Sequence, residues 1–166
     1  MPALSYKAFI MYKRFLEWIA SAKGMRQLIN IYGPYFGAGV KATYIDKDFR
    51  QAKVSLALRW YNKNYVGVHF GGSLYSMIDP FYMLLLMNNL GKDYIVWDKS
   101  ADIEFIKPGT GTVSATFIIT DDMLKEIKEK TANGDKFLPT YPVVIIDEQG
   151  EIVAKANKTL YIRRKQ

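Results

Sequence analysis

The apolar residues near the N-terminus recur every three or four positions, which is the spacing of one face of a helix. The stripe consists of Leu4, Ala8, Met11, Phe15, Trp18, Ala22, Met25 and Ile29. It predicts one helix that Gly33 and Pro34 end. Basic residues such as Lys13 and Arg14 lie off the stripe. We interpret the segment as a helix packed on the body of the domain, with a basic helix on a membrane surface as the alternative.

Strand-like patterns follow this helix. Phe36 to Ile45 is one predicted strand, and from Ala52 to Trp60 apolar and polar residues alternate with a period of two. A polar, glycine-containing loop is predicted from Tyr61 to Gly72.

The run from Ser73 to Leu90 predicts a second helix, which is apolar on nearly every side. A helix without a polar face must be buried, so we expect the rest of the domain to enclose it. Asp79 is its only charged residue.

Alternating patterns return after Gly91, beginning with Ala101 to Phe105 and Val113 to Ile119. A short helix is predicted from Asp121 to Thr131, with Thr120 as its N-cap. Two last strands lie near Thr140 to Asp147 and Glu151 to Arg163. This order predicts an α+β architecture in which an antiparallel sheet wraps around the long central helix.

Composition narrows the function classes. The 166 residues carry a net charge of +7, no cysteine and one histidine. Disulfides and cysteine-ligated metals are therefore excluded, and the spacing of carboxylates indicates no metal site. The N-terminal segment lacks the pattern of a secretory signal, and no apolar run could span a bilayer. We expect a cytoplasmic protein without stable membrane insertion and without a nucleic-acid partner.

The segment from Asn64 to Pro80 carries the candidate chemistry. Gly71 and Gly72 precede the predicted buried helix, where free backbone N–H groups could stabilise an oxyanion. Asp79 lies about two helical turns further on and could act as a general base on water. The alternative is structural, because Asp79 followed by Pro80 is also a typical N-cap and first helical position.

His69 could orient a substrate carbonyl or support its loop. Ser76 has no evident base partner, and no nucleophile elbow, P-loop or dinucleotide fingerprint is present.

At these residues the sequence resembles the hotdog-fold thioesterase superfamily, in particular acyl-CoA thioesterases of the phenylacetate-pathway type, within an uncharacterised branch. The resemblance covers about Phe36 to Arg163. The family motif places an asparagine, a histidine–glycine–glycine and an acidic residue where this chain has Asn64, Phe70–Gly71–Gly72 and Asp79. Two differences are that Phe70 stands at the histidine position, with His69 one place earlier, and that Pro80 follows the acidic residue.

The resemblance implies one hotdog domain over residues 1–166, with a helical extension at 1–33 and the core at 34–166. It implies thioester hydrolysis with Asp79, Gly71 and Gly72 as catalytic residues and with Asn64, His69, Phe70 and Ser76 near the substrate. Coenzyme A would enter as part of the substrate, with no separate cofactor. The site would form at the interface of a homodimer, and a dimer of dimers is the larger assembly that the resemblance allows. A non-catalytic acyl-CoA-binding or lipid-binding protein is the alternative.

Overall fold

The computed structural model describes residues 6–166, so Leu4 of the predicted N-terminal stripe lies outside the described residues. The stripe forms two helices, α1 (Tyr6–Ala20) and α2 (Ala22–Ile31), where the sequence predicts one. Ser21 separates them, because its hydroxyl donates to the carbonyl of Trp18 and accepts from the N–H of Gly24. A Cβ atom on Gly24 would lie 1.9 Å from the Trp18 carbonyl oxygen, so this tight corner requires glycine.

The predicted end of the helical extension and the predicted start of the first strand are both displaced. Helix α2 ends at Ile31, and Pro34 lies in the first turn of a further short helix, α3 (Gly33–Ala38). Proline is tolerated there because the first-turn N–H groups have no intrahelical partner. Gly39 ends α3 with a φ of 80°, and the strand that was expected from Phe36 begins at Val40.

One antiparallel sheet forms the body of the domain. Its strands are β1 (Val40–Ile45), β2 (Gln51–Ala57), β3 (Tyr94–Phe105), β4 (Thr112–Ile118), β5 (Lys136–Phe137), β6 (Thr140–Ile146) and β7 (Ile152–Arg164). They lie in the order β1-β2-β4-β6-β7-β3, and β5 pairs with β7. The predicted strands are therefore present. Strand β3 lies at an edge, and on its other side the described residues provide no strand partner.

The central helical segment lies against one face of this sheet. It comprises α4 (Gly71–Ser76) and α5 (Phe81–Leu90). Phe81, Leu85 and Leu86 are buried, and the Phe81 ring stacks on Phe117 of β4 at a centroid distance of 5.1 Å. The burial predicted from the apolar pattern is confirmed for this face of the segment, whereas Met87 is exposed. The segment is interrupted at residues 77–80, since Pro80 has no N–H group to continue the helical hydrogen bonds.

Helix α6 (Asp121–Lys130) also agrees with the sequence. Thr120 caps it by accepting a hydrogen bond from the N–H of Met123 at 3.2 Å.

Candidate functional site

Asp79 lies in the interruption between α4 and α5. Pro80 occupies the N-cap position of α5, and no side chain within residues 6–166 caps this helix. The Asp79 carboxylate instead accepts a hydrogen bond from Nζ of Lys158 at 3.0 Å. The interpretation of Asp79 as an N-cap with α5 starting at Pro80 is therefore wrong, because a cationic partner from β7 takes the carboxylate.

Lys158 forms the centre of a charged cluster beneath the central helical segment. Its side chain is 1% exposed, although it carries a charge. Nζ also lies 3.1 Å from Oδ1 of Asp98 on β3, within range of an ion pair. The ammonium lies 5.6 Å from the ring centroid of Tyr75 on α4. These contacts offset the cost of burying the lysine charge.

The electrostatics of the cluster favour an ionised lysine. Burial alone would lower the pKa of Lys158, but the hydrogen bond that Lys158 donates to Asp79 and the attraction of Asp98 and Asp79 outweigh it and raise this pKa above its ordinary value. Burial raises the pKa of Asp98, and Lys158 partly opposes that shift. Asp98 is 20% exposed and Asp79 48% exposed, so Asp79 is the carboxylate that solvent reaches more easily.

Asp79 opens onto a cleft of about 460 Å³, called the Asp79 cleft below. Its other lining residues are mainly apolar or aromatic and include Tyr32, Pro34, Tyr35, Tyr75, Ser76 and Met83. The Tyr35 hydroxyl is buried, and the described residues give it no hydrogen-bond partner. Burial raises the pKa of Tyr35 above its usual range, and Asp79 and Asp98 add to that effect. This hydroxyl therefore stays protonated and can donate a hydrogen bond.

A second cleft, of about 370 Å³, lies at the start of α4 and is called the Gly71 cleft. Asn64, His69 and Gly71 line it together with Leu74, Phe105 of β3 and residues 106–109. A Cβ atom on Gly71 would lie 3.0 Å from the Phe105 ring, so glycine allows β3 to approach here. Lys107 also lines the cleft, but its ammonium is paired with Asp147 and Glu151.

The predicted site residues are thus divided between two clefts. Asp79 and Ser76 line one, and Asn64, His69 and Gly71 line the other. Gly72 lies under the half-exposed ring of Phe70, since a Cβ there would be 2.4 Å from a ring carbon. The Ser76 hydroxyl donates to the carbonyl of Gly72 at 2.9 Å. Within one chain, the glycines and Asp79 do not face the same cavity.

Asn64 organises the loop that carries the second half of the predicted site. Its side-chain oxygen accepts hydrogen bonds from the N–H groups of Val66 and Val68, each at 3.1 Å. Its amide nitrogen donates to the carbonyl of His69 at 3.4 Å. These contacts fix the loop before α4, and they use the hydrogen-bonding capacity of Asn64 within its own chain.

His69 is buried at the base of the Gly71 cleft. Its Nε2 lies 3.2 Å from the carbonyl oxygen of Gly111 and must carry the proton to donate there, which leaves Nδ1 as an acceptor. Nδ1 is buried and has no hydrogen-bond partner among residues 6–166. Burial lowers the pKa of His69 below its ordinary value, and the bond to Gly111 only partly opposes this shift.

We expect the folded protein to lose stability as the pH falls below about 6.5, the value of an unfolded histidine. Because the folded pKa of His69 is lowered, the unfolded chain binds the proton more readily, with a slope of at most about 1.4 kcal/mol per pH unit. Urea unfolding of wild type and His69→Gln between pH 5 and 8 measures the difference, since glutamine can still donate to Gly111. Comparison with the variant also removes the contribution of Asp98, whose raised pKa acts in the opposite direction. Parallel pH profiles for the two proteins would contradict this account.

Comparison with known proteins places the chain in a family. The model of a domain of unknown function, DUF4442, matches residues 22–162. The chain belongs to the DUF4442 family. Helix α1 of this DUF4442 protein ends at Ala20, so it lies before the region that the family model matches. A search of curated proteins finds no match for the sequence.

Solved structures identify the fold of the DUF4442 protein. A probable thioesterase of unknown function from Pseudomonas aeruginosa is 16% identical, with a TM-score of 0.73 over 84% of this chain and 93% of that one. A thioesterase from Haemophilus influenzae is 12% identical, with a TM-score of 0.63 over 87% and 91%. Mouse thioesterase superfamily member 2 is 13% identical, with a TM-score of 0.60 over 84% and 96%. The DUF4442 protein has the hotdog fold of thioesterase-superfamily structures.

The sequence pattern did not identify Tyr35, Asp98 and Lys158 as neighbours of Asp79. Lys158 had a detectable signal, because it occupies an inward-facing position in the alternating strand Ala154, Ala156, Lys158, Leu160. A lysine on the core side of a strand requires an acidic partner. Among the described residues no group of three or more histidines and carboxylates is arranged to hold a metal ion.

Proposed function

We propose that this protein is an acyl-CoA thioesterase in which Asp79 activates water for attack on the thioester carbon. The observation that carries the proposal is the half-exposed Asp79 carboxylate, held by buried Lys158 at the wall of an otherwise largely apolar cleft. A carboxylate that an ammonium holds in place on one side can accept a proton from a water molecule on its other side. The hotdog fold of the thioesterase-superfamily structures supports this choice of reaction.

The reaction needs a base and an oxyanion-binding group on the same substrate. Water would lose its proton to Asp79 and attack the carbonyl carbon, and the resulting oxyanion would accept hydrogen bonds from the backbone N–H groups of Gly71 and Gly72. Collapse of this intermediate would break the carbon–sulfur bond, with the proton passing to the leaving thiolate. The products would be a carboxylic acid and coenzyme A.

A homodimer would bring the two clefts together. Asp98 of β3 lies beside the Asp79 cluster, whereas Phe105 at the other end of β3 lines the Gly71 cleft. Antiparallel pairing of β3 with the same strand of a second copy would place one end of each strand against the opposite end of its partner. The Asp79 cleft of one subunit would then face the Gly71 cleft of the other. The unpaired edge of β3 supports this arrangement, and a dimer of such dimers is compatible with it.

The proposed substrate class follows from the net charge of the protein and from the side chains that line the Asp79 cleft. The aromatic and aliphatic side chains of the Asp79 cleft suit an acyl chain, and exposed lysine and arginine side chains of this basic protein, with its net charge of +7, would meet the phosphates of coenzyme A. The proposal needs no separate cofactor, and it places His69, Phe70 and Ser76 around the bound thioester.

A second candidate is an acyl-CoA-binding or lipid-binding protein without turnover. Phe70 in place of the motif histidine favours it, because its half-exposed ring covers Gly72 and limits access to the N–H groups at the start of α4. An apolar ligand could still occupy the Asp79 cleft.

Hydrolysis and binding should be measured on the same panel of saturated and aromatic acyl-CoA thioesters. Release of the coenzyme A thiol reports turnover, and calorimetry reports binding. Turnover of at least one thioester above the spontaneous rate is expected. Binding without turnover would replace the thioesterase proposal by the second candidate, and the absence of both would eliminate the two together.

A further inference from the structure

Helices α1 and α2 expose large apolar side chains. Met11 is 72% exposed and Phe15 55% exposed on α1, and Ile31 at the end of α2 is 73% exposed. Tyr32 and Phe36, which follow α2, are also exposed. We call these five residues the N-terminal apolar surface. Met11 and Phe15 are one helical turn apart on α1, and Ile31, Tyr32 and Phe36 lie close together along the chain. Groups of exposed apolar residues mark an interaction site more often than single ones do.

The same helices are strongly basic. Residues 6–31 contain five basic side chains, Lys7, Lys13, Arg14, Lys23 and Arg26, and a single acidic one, Glu17. Their net charge of +4 is more than half of the +7 of the whole protein. Lys13 and Arg14 lie beside the exposed apolar residues of α1 along the chain and are themselves exposed. Apolar residues combined with cationic ones are typical of helices that lie in the headgroup region of anionic membranes.

We infer that the N-terminal apolar surface and its basic residues dock this protein on the surface of an anionic phospholipid bilayer. No described helix offers the length of apolar sequence that crossing a bilayer requires, so the inferred mode is peripheral. The tyrosine at position 32 suits this location, since aromatic side chains with a polar tip favour the membrane–water boundary.

Charge argues for lipid as the occupant rather than a second copy of the chain. In a two-fold symmetric dimer the same surface would meet itself, which would bring the two sets of basic residues together. An anionic bilayer instead attracts each basic residue and accepts the apolar side chains between its headgroups.

The N-terminal apolar surface adjoins the Asp79 cleft. Tyr32 belongs to both, and Pro34 and Tyr35 of α3 continue from it along the cleft wall. A protein held at the membrane by α1 and α2 would therefore present the cleft close to the acyl chains of lipids. Docking itself does not depend on thioester hydrolysis, so failure of one proposal leaves the other standing.

Flotation of the full-length protein with phosphatidylcholine vesicles, with and without phosphatidylglycerol, tests the inference. Binding is expected only with phosphatidylglycerol, and it should weaken as the ionic strength rises. The double variant Lys13→Glu/Arg14→Glu should bind at least about tenfold more weakly, because each basic residue near an anionic surface contributes roughly 1 kcal/mol. Met11→Ser/Phe15→Ser should also bind at least about tenfold more weakly, since it removes apolar side chains that enter the headgroup region.

Matched controls separate this surface from general charge and apolarity. Lys125→Glu/Lys128→Glu reverses two exposed charges on α6, and Ile118→Ser/Val144→Ser removes two exposed apolar residues from the sheet. Both should float like the wild type, and circular dichroism should show that all variants are folded. The inference is overturned if the wild type does not bind anionic vesicles, or if the α6 variant loses as much binding as the α1 variant. It is also overturned if Met11→Ser/Phe15→Ser changes the oligomer size while vesicle binding stays intact.

Discussion

Replacing Asp79 by asparagine is expected to lower kcat for thioester hydrolysis by about 10²–10⁴-fold, with little change in KM. Asparagine has the same shape and keeps an oxygen that can accept the hydrogen bond from Lys158, but it cannot take a proton from water. The loss would therefore report the missing base rather than a rearranged cleft. Steady-state kinetics on the best thioester of the panel, with wild type and variant, measures the ratio.

Asp122→Asn is the matched control for this prediction. It removes the same charge from an exposed position in the first turn of α6, away from the residues that line the two clefts. Its kcat should stay close to that of the wild type. Asp98→Asn tests the assignment within the cluster, because Asp98 is the other carboxylate beside Lys158. If Asp98→Asn abolished turnover while Asp79→Asn retained it, Asp98 would be the base and the proposed role of Asp79 would be wrong.

Replacing Lys158 by methionine is expected to lower the free energy of unfolding by about 3–5 kcal/mol. Methionine has a similar volume but no charge, so the variant leaves the carboxylates of Asp79 and Asp98 side by side without their cation. The less exposed Asp98 would suffer most, because its charge has little access to water. Urea unfolding followed by circular dichroism measures the loss.

Lys155→Met provides the comparison for Lys158→Met, since Lys155 lies on the same strand and points to solvent. Its unfolding free energy should change by less than about 0.5 kcal/mol. Adding Asp98→Asn to Lys158→Met should recover part of the lost stability, because it removes the unpaired buried charge. Equal stability of the two lysine variants would show that the buried ion pair does not stabilise the fold.

Much of the fold follows from the periodicity of the sequence. Alternation between Ala52 and Trp60 predicts β2, and the apolar run after Ser73 predicts the buried central segment. These patterns are local. In a strand of a sheet that buries one face, every second side chain is apolar because it points to the core. The cap at Thr120 is local as well, which explains why α6 agrees with the prediction almost to the residue.

The parts that could not be predicted depend on distant contacts. Asp79 and Lys158 are 79 positions apart in the sequence, and only the folding of β7 beneath the central segment brings them together. The local Asp79–Pro80 pattern favours an N-cap, but an ammonium at 3.0 Å outcompetes the backbone N–H groups for the carboxylate. The predicted site residues line two different clefts, and this division also results from tertiary packing, which the local sequence pattern does not reveal.

The ion pair between Asp98 and Lys158 also depends on how two long strands are aligned. Strands β3 and β7 pair over most of their length, with a register shift between Asp98 and Ser100 that leaves Lys99 as an extra residue. A slip of one residue would exchange the inward and outward faces of β3 and bury Trp97 or Lys99 where Asp98 now meets the ammonium. The observed pairing is the one that places a carboxylate of β3 beside the buried ammonium. The charged cluster therefore favours the observed bulge over a pairing slipped by one residue, and we expect a chain without the cluster to align β3 with β7 less uniquely.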